Sequence, residues 1–312
     1  MRAFLFPGQG SQAVGMGAAL AAANRTAQDV FDEVDQALGQ NLFRLMRDGP
    51  EDDLKLTENA QPAIMAHSLA VFRALTRDGG VELIRAASFV AGHSLGEYSA
   101  LCAAGSFDLT TTSKLLKLRG QAMQAAVPVG VGAMAALLGA DLVLAQKIAD
   151  AAAQGEVCAV ANDNDPSQVV ISGHKGAIDR AIELAKDMGA KRAVLLPVSA
   201  PFHCPLMQPA ADVMREALGQ VVIAAPAVPL YANVTAQPET DPDTIRDQLV
   251  AQVTGMVRWR ESVANMAEAG VDEFVEIGGK VLGSMVKRIA PEAKITSVVT
   301  IEDVESLAKE IA

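Results

Sequence analysis

The stretch of this chain best placed to do covalent chemistry is Gly92-His93-Ser94-Leu95-Gly96. The run before it, Ser88 to Ala91, is short, apolar and β-favouring. The run after it, Glu97 to Ala104, favours helix. A serine between two glycines at a strand-to-helix turn reads as a nucleophile elbow, which lifts the hydroxyl above the sheet edge. Such a hydroxyl is a poor nucleophile at neutral pH and needs a base within hydrogen-bond reach. The chain has four histidines. His67 sits among apolar neighbours in a helical pattern and reads as packed. His174 lies in the turn signal Gly173-His174-Lys175-Gly176, and His93, inside the elbow, is expected to point away from the serine and prop the turn. That leaves His203, in Ser199-Ala200-Pro201-Phe202-His203-Cys204-Pro205, a loop entering a helix. Loops at strand ends are where a sheet scaffold presents catalytic groups. A Cys204–His203 pair is set aside, because adjacent side chains rarely face each other.

Two further stretches can handle negative charge. Pro7-Gly8-Gln9-Gly10-Ser11-Gln12 follows a first apolar strand, and such a loop exposes backbone N–H groups that can hold an anion. An ordinary turn would look the same. The helix from Thr110 to Ala125 carries Lys114, Lys117, Arg119 and Gln121. On the residues alone, Arg119 is equally a solvated helix face or a clamp for an anionic substrate.

These groups must be positioned by something. Half of the 312 residues are apolar, enough to bury a large core. Strands are expected at 3–6, 88–91, 228–234, 272–277 and 294–299. Helices are expected at 17–38, 61–78, 97–104, 110–125, 205–218, 243–253, 259–269, 280–289 and 302–311. Strands alternating with helices imply an α/β fold whose mainly parallel sheet is covered by helices. Between 127 and 199 the rhythm changes. Strand 133–138, helix 141–153, strands 157–161 and 168–172, helix 176–188 and strand 191–198 give βαββαβ, the ferredoxin-like order. Residues 127–199 are therefore expected to form an inserted small lobe. Residues 1–126 and 200–312 would make the large catalytic domain.

A net charge of -11 argues against a nucleic-acid partner. No apolar run reaches membrane-spanning length; Val131 to Ala140 is the longest and Asp141 ends it. Cys102, Cys158 and Cys204 have no CxxC spacing and read as free thiols in a reducing compartment, which implies a cytoplasmic protein.

Taken in order, Gly8-Gln9-Gly10-Ser11-Gln12, Gly92-His93-Ser94-Leu95-Gly96-Glu97-Tyr98-Ser99-Ala100, Arg119-Gly120-Gln121-Ala122-Met123, Phe202-His203 and Val275-Glu276-Ile277-Gly278 with Gly279-Lys280-Val281-Leu282 form a specific pattern. Together they resemble the malonyl-CoA:acyl carrier protein transacylase family nearly end to end. The resemblance implies a hydrolase-like α/β domain with the inserted lobe. It also implies that Ser94 is acylated and that His203 is general base and acid. Backbone N–H groups of Gln9 and Leu95 would form the oxyanion hole. Arg119 would grip the malonyl carboxylate, and the backbone carbonyl of Gln252 would orient His203. Met123, Asn162 and Phe202 would lie against the substrate, the Phe202 ring favouring unbranched malonyl over methylmalonyl. Asn162-Asp163-Asn164 and Thr254-Gly255-Met256 depart from the common pattern, outside its core motifs.

The implied partners are malonyl-CoA and the phosphopantetheine arm of acyl carrier protein, with no cofactor, metal, nucleic acid or membrane, and with the enzyme as a monomer. Carrier proteins are acidic, so Lys191-Arg192 and Lys280, Lys287 and Arg288 are docking candidates. The rival reading is a serine hydrolase or thioesterase that uses the same Ser–His pair with water as acceptor. Against it stand Arg119 and the lack of an acid ahead of His203.

Overall fold

A computed structural model describes residues 1–198 and 200–311. Ser199 and Ala312, the expected last residues of the small lobe and of the large domain, lie outside the described residues. The described strands are β1 (Arg2–Phe6), β2 (Phe89–Gly92), β3 (Gly132–Leu138), β4 (Cys158–Asp165), β5 (Gln168–His174), β6 (Arg192–Leu195), β7 (Leu230–Tyr231), β8 (Pro238–Glu239), β9 (Glu273–Ile277) and β10 (Lys294–Val298).

Six strands form one sheet in the order β10-β9-β1-β2-β7-β8, parallel except for the β7–β8 edge pair. Successive residues of β1 alternate between its two faces. Phe4 and Phe6 enter the larger core with Val90, Val275 and Ile277, while Ala3 and Leu5 pack on the other side with Ala91, Phe274 and Trp259. A strand buried on both faces must be apolar throughout, as Ala3 to Phe6 are. The helix Thr57–Arg73 packs in the larger core and is buried along nearly all of its length.

The other four strands form an antiparallel sheet, order β4-β5-β3-β6, carrying the helices Leu142–Ala153 and Lys175–Asp187. Its own core is mostly alanine, valine and isoleucine. Met134, Ala136, Ala161 and Val170 belong instead to the larger core. The molecule is thus α/β, with a mainly parallel six-stranded sheet and a small antiparallel four-stranded one.

Several boundaries differ from the sequence reading. The helix expected at 17–38 is two helices, Ala18–Ala23 and Arg25–Leu38. Asn24 turns extended between them, and its side chain accepts from the Ala27 N–H at 2.8 Å, capping the second. The helix expected from 61 starts at Thr57, and short helices Leu42–Asp48 and Glu51–Lys55 precede it. Strand 157–161 runs on to Asp165 through two register shifts, and 228–234 contributes only Leu230–Tyr231 to the ladder.

Candidate active site

β2 ends at Gly92, the helix Gly96–Ala103 begins four residues later, and Ser94 takes the turn at φ 53°. A Cβ on Gly92 would lie 1.9 Å from the Gly96 carbonyl oxygen, and one on Gly96 would lie 2.2 Å from that of Phe6 in β1. Both are below any real contact, so the two glycines are a steric requirement of the elbow. Ser94 and His203, at φ 56°, are both left-handed without being glycine. Such strain persists only where the surroundings hold it, and it gathers at functional sites.

Ser94 Oγ lies 2.8 Å from His203 Nε2, and His203 Nδ1 lies 2.9 Å from the Gln252 carbonyl oxygen. A carbonyl can only accept, so Nδ1 carries the proton and Nε2 offers its lone pair to the serine O–H. Burial, with the Arg119 cation nearby, pushes the His203 pKa down to about 3. The imidazole is therefore a neutral base through the whole physiological range.

Arg119 is 1% exposed. Its Nη1 donates to Gln61 Oε1 at 2.8 Å, and its Nη2 donates to Gln252 Oε1 at 2.8 Å and to Ser94 Oγ at 3.2 Å. Its guanidinium also lies 5.7 Å from the centre of the Tyr98 ring. The next residue, Gly120, fixes the approach of its helix: a Cβ there would stand 2.5 Å from the Glu58 Cα, so the helices Leu109–Ala125 and Thr57–Arg73 cross at contact distance. The solvated helix face considered for Arg119 is excluded by this burial. A buried guanidinium whose hydrogen-bond partners are neutral side chains, with the Glu97 carboxyl nearby, is a ready receptor for a carboxylate.

Ser94, His203 and Arg119 open into one pocket of about 330 Å³, with Gln9, Met123, Asn162 and Phe202 also in its wall. Leu95 follows the serine with its side chain packed in the core, which leaves its backbone amide as the group it offers. Gly10, Gln12, Lys55, Gln61, His93, Met134, Leu196, Pro197 and Val198 complete the lining, and of these Lys55, Gln61, Met134, Leu196 and Val198 escaped the sequence reading. A larger cavity, about 550 Å³, shares Gly10 and Gln12 with this pocket and is lined by His67. Its serine hydroxyl, on Ser11, donates to the Gly8 carbonyl instead of meeting a base. The serine that meets a base lies in the smaller pocket.

The other histidines sit where their surroundings dictate. His67 is buried, with its pKa pushed down to about 4 by burial. His93 points out of the elbow, its Nε2 2.9 Å from Asn164 Oδ1 across on β4. His174 closes β5, and its Nδ1 accepts from the Val157 N–H at 2.9 Å. The Cys204 thiol donates to the Pro201 carbonyl and forms no pair with His203.

The stretch Asn162 to Asp165 does more than its departure from the common pattern implied. Asn164 holds His93, Asp163 pairs with Arg260 at 2.8 Å, and Asp165, wholly buried, pairs with Arg288 at 2.6 Å. These contacts tie β4 to the large sheet's helices. Arg288, half exposed, is thus already engaged by a buried carboxylate. Spacing carries no sign of this pair, because Asp165 and Arg288 stand 123 residues apart.

Comparison with known proteins agrees with this geometry. The acyl transferase domain family matches residues 3–292. The malonyl CoA-acyl carrier protein transacylase of Escherichia coli (strain K12) is 47% identical over 288 residues, 92% of each chain. The crystal structure of acyl-carrier-protein-S-malonyltransferase from Bartonella henselae superposes with a TM-score of 0.97 at 51% identity, over 99% of both chains. A malonyl-transacylase solved in complex with its type II PKS acyl-carrier protein superposes at 0.95 with 40% identity, again over 99% of both. A likeness that runs through nearly the whole of each chain permits one assignment: this chain belongs to the malonyl CoA-acyl carrier protein transacylases of the acyl transferase family.

Proposed function

We propose that this enzyme transfers malonyl from malonyl-CoA to the phosphopantetheine thiol of acyl carrier protein, supplying fatty acid synthesis, with Ser94 carrying the group between them. The observation that carries the proposal is the meeting of Ser94 Oγ with both the His203 imidazole and the Arg119 guanidinium in one pocket.

Ser94 attacks the thioester carbonyl while His203 Nε2 takes the hydroxyl proton. The C–S bond breaks, and the imidazolium returns that proton to the departing CoA sulfur. The pantetheine thiol then gives its proton to His203 and attacks the malonyl-serine carbonyl; the C–O bond to Ser94 breaks, and the imidazolium returns the proton to the departing serine oxygen. The Gln252 carbonyl fixes the tautomer but, being neutral, stabilises the imidazolium less than a carboxylate would. Backbone N–H groups of Gln9 and Leu95 serve the developing oxyanion.

Arg119 selects the substrate. The malonyl carboxylate replaces its neutral partners in a two-bond fork, whereas an acetyl group leaves the cation without a counter-charge. Met123, Asn162 and Phe202 shape the space around the acyl group. Residues 127–199 act as the lobe that covers the acyl-serine, and 1–126 with 200–312 act as the catalytic body. No helix among the described residues is long and apolar enough to cross a membrane, consistent with work on a cytoplasmic carrier protein.

The test is a discharge assay. The enzyme is loaded with malonyl-CoA, the mass increase is located on the peptide bearing Ser94, and holo carrier protein or buffer alone is added. Fast loss to the carrier and slow loss to water is expected. Equal loss to both would make the protein a thioesterase, and no adduct on Ser94 would remove the serine from the mechanism.

A further inference from the structure

The mechanism leaves two buried polar side chains unused, Glu97 and Asn233, each 1% exposed. Both lie directly behind the nucleophile. Asn233 spans the elbow: its Oδ1 accepts from the Ser94 N–H at 2.8 Å, and its Nδ2 donates to the Gly92 carbonyl at 2.7 Å. The side chain of Gln252 grips the same turn from another element, with Nε2 donating to the Ser94 carbonyl at 2.9 Å and to Glu97 Oε2 at 2.8 Å. That Glu97 oxygen also accepts from the Asn233 backbone N–H at 3.2 Å. Each amide is fixed in orientation by its partners, since only the arrangement described matches donors with acceptors.

We infer that Asn233 and Glu97 are positioning residues for acyl transfer, bracing the elbow so that Ser94 stays left-handed with its hydroxyl against His203. Three side-chain bonds reach the backbone of Gly92 and Ser94, from Asn233 twice and from Gln252 once. Left-handed backbone at a non-glycine residue is strained and must be offset by its surroundings. Asn233 and Gln252 supply that offset, and Glu97 holds both of them in place. The brace also touches substrate recognition, because Gln252 Oε1 takes a hydrogen bond from Arg119 while its backbone carbonyl orients His203. One residue, Gln252, thereby registers the serine, the base and the arginine against each other.

The inference rests on Ser94 being the acylated group, so the experiment follows malonylation of Ser94 itself. Rapid-quench mass spectrometry of the full-length enzyme gives the acylation rate and the apparent KM for malonyl-CoA, alongside the melting temperature. For Asn233→Ala and Glu97→Ala the acylation rate falls ~10²-fold while KM moves no more than about threefold, since a displaced nucleophile damages the chemical step and leaves binding intact. Glu97→Gln keeps an acceptor oxygen for Gln252 in the same shape and restores the rate to within about fivefold of the parent. A role confined to stability would lower the melting temperature and leave the rate of the folded fraction at the parental value; that result overturns the inference. If Asn233→Ala does not fold, Asn233→Asp decides. It keeps the acceptor for Ser94 and sets an oxygen against the Gly92 carbonyl, so a slowed rate is expected and a parental rate overturns the brace. A parent enzyme that takes no malonyl on Ser94 overturns the serine assignment and the brace together, whereas a labelled parent with unimpaired variants overturns the brace alone.

Discussion

The two walls of the pocket are built on opposite principles. On the wall of the large sheet stand Ser94, His203 and Arg119, and Gln252 behind them joins all three through short hydrogen bonds between buried polar groups. On the lobe's wall, the lining is Met134, Leu196 and Val198, with Asn162 the polar exception. The lobe's charges, Asp163 and Asp165, do not line the pocket; they pair with Arg260 and Arg288. One wall carries reactivity and the other carries shape and attachment. Substitutions on the first should therefore change rates, and those on the second should change stability and fit.

Arg119→Ala should give the largest effect. Losing the buried cation proposed to hold the malonyl carboxylate costs ~2–5 kcal/mol, so kcat/KM for malonyl-CoA should fall by ~30- to 5,000-fold. Acetyl-CoA turnover should not fall, and the melting temperature should hold or rise because a buried charge has gone. Competition between the two thioesters measures this, and parallel losses for both would place Arg119 on the structural side of the comparison.

Arg288→Ala should do the reverse. It leaves the wholly buried Asp165 without its cation, and because Arg288 is itself half exposed the loss of stability is ~1–2 kcal/mol. Thermal melting should show the loss with the Ser94 acylation rate preserved at saturating substrate. The same contact confounds any charge reversal at Lys287 and Arg288 meant to test carrier docking, so Lys287 should be changed alone.

Acid should separate stability from chemistry on the catalytic wall. His203 and His67, held at about 3 and about 4, bind protons below pH 6.5 only when the chain unfolds. The stability they contribute is complete above pH 6.5 and is lost as pH falls. Burial raises Glu97 to about 7, so its folded carboxyl keeps a proton that the unfolded chain releases, and its contribution grows as pH falls from 7 towards 4.5. Burial lowers His93 in the same direction, so the imidazoles outweigh the single carboxyl and stability falls between pH 6 and 5. Melting curves across that range check the sign, and Glu97→Gln should steepen the fall by removing the opposing group. The acylation rate of the folded enzyme should stay flat over the same interval because His203 remains neutral.

Phe202→Ala, where the two walls meet, should have the smallest effect. Its ring lines the pocket, and extra room for one methyl group is worth ~1 kcal/mol, or several-fold in favour of methylmalonyl-CoA over malonyl-CoA.

What could be read in the sequence follows the same division. The elbow was legible because Gly92 is dictated by a contact four residues on, at Gly96, although Gly96 itself is dictated by Phe6 on β1. β1 was legible because burial on both faces leaves no room for a polar residue. Arg119 was ambiguous on its helix, since Lys114 and Lys117 nearby read as solvent-facing. Only the crossing at Gly120 buries it. Asn233 and Glu97 gave no periodic or spacing signal, because the bonds that use them join residues up to 155 positions apart. The break at Asn24 was missed for a different reason. Apolar residues continue on both sides of it, and the cap outweighs helix continuity there.

The placement of β1 has a consequence for how the protein is made. It lies in the middle of the large sheet, with β2 on one side and β9 on the other. β2 leaves the ribosome early, but β9 begins only at Glu273. At ~5–20 residues per second, the gap between β2 and β9 lasts roughly 10–40 s. For that interval an apolar strand containing Phe4, Leu5 and Phe6 presents an unpaired edge. The first strand to be synthesised is therefore among the last to be paired on both sides, and nascent chains stalled before Glu273 should be the ones that chaperones hold.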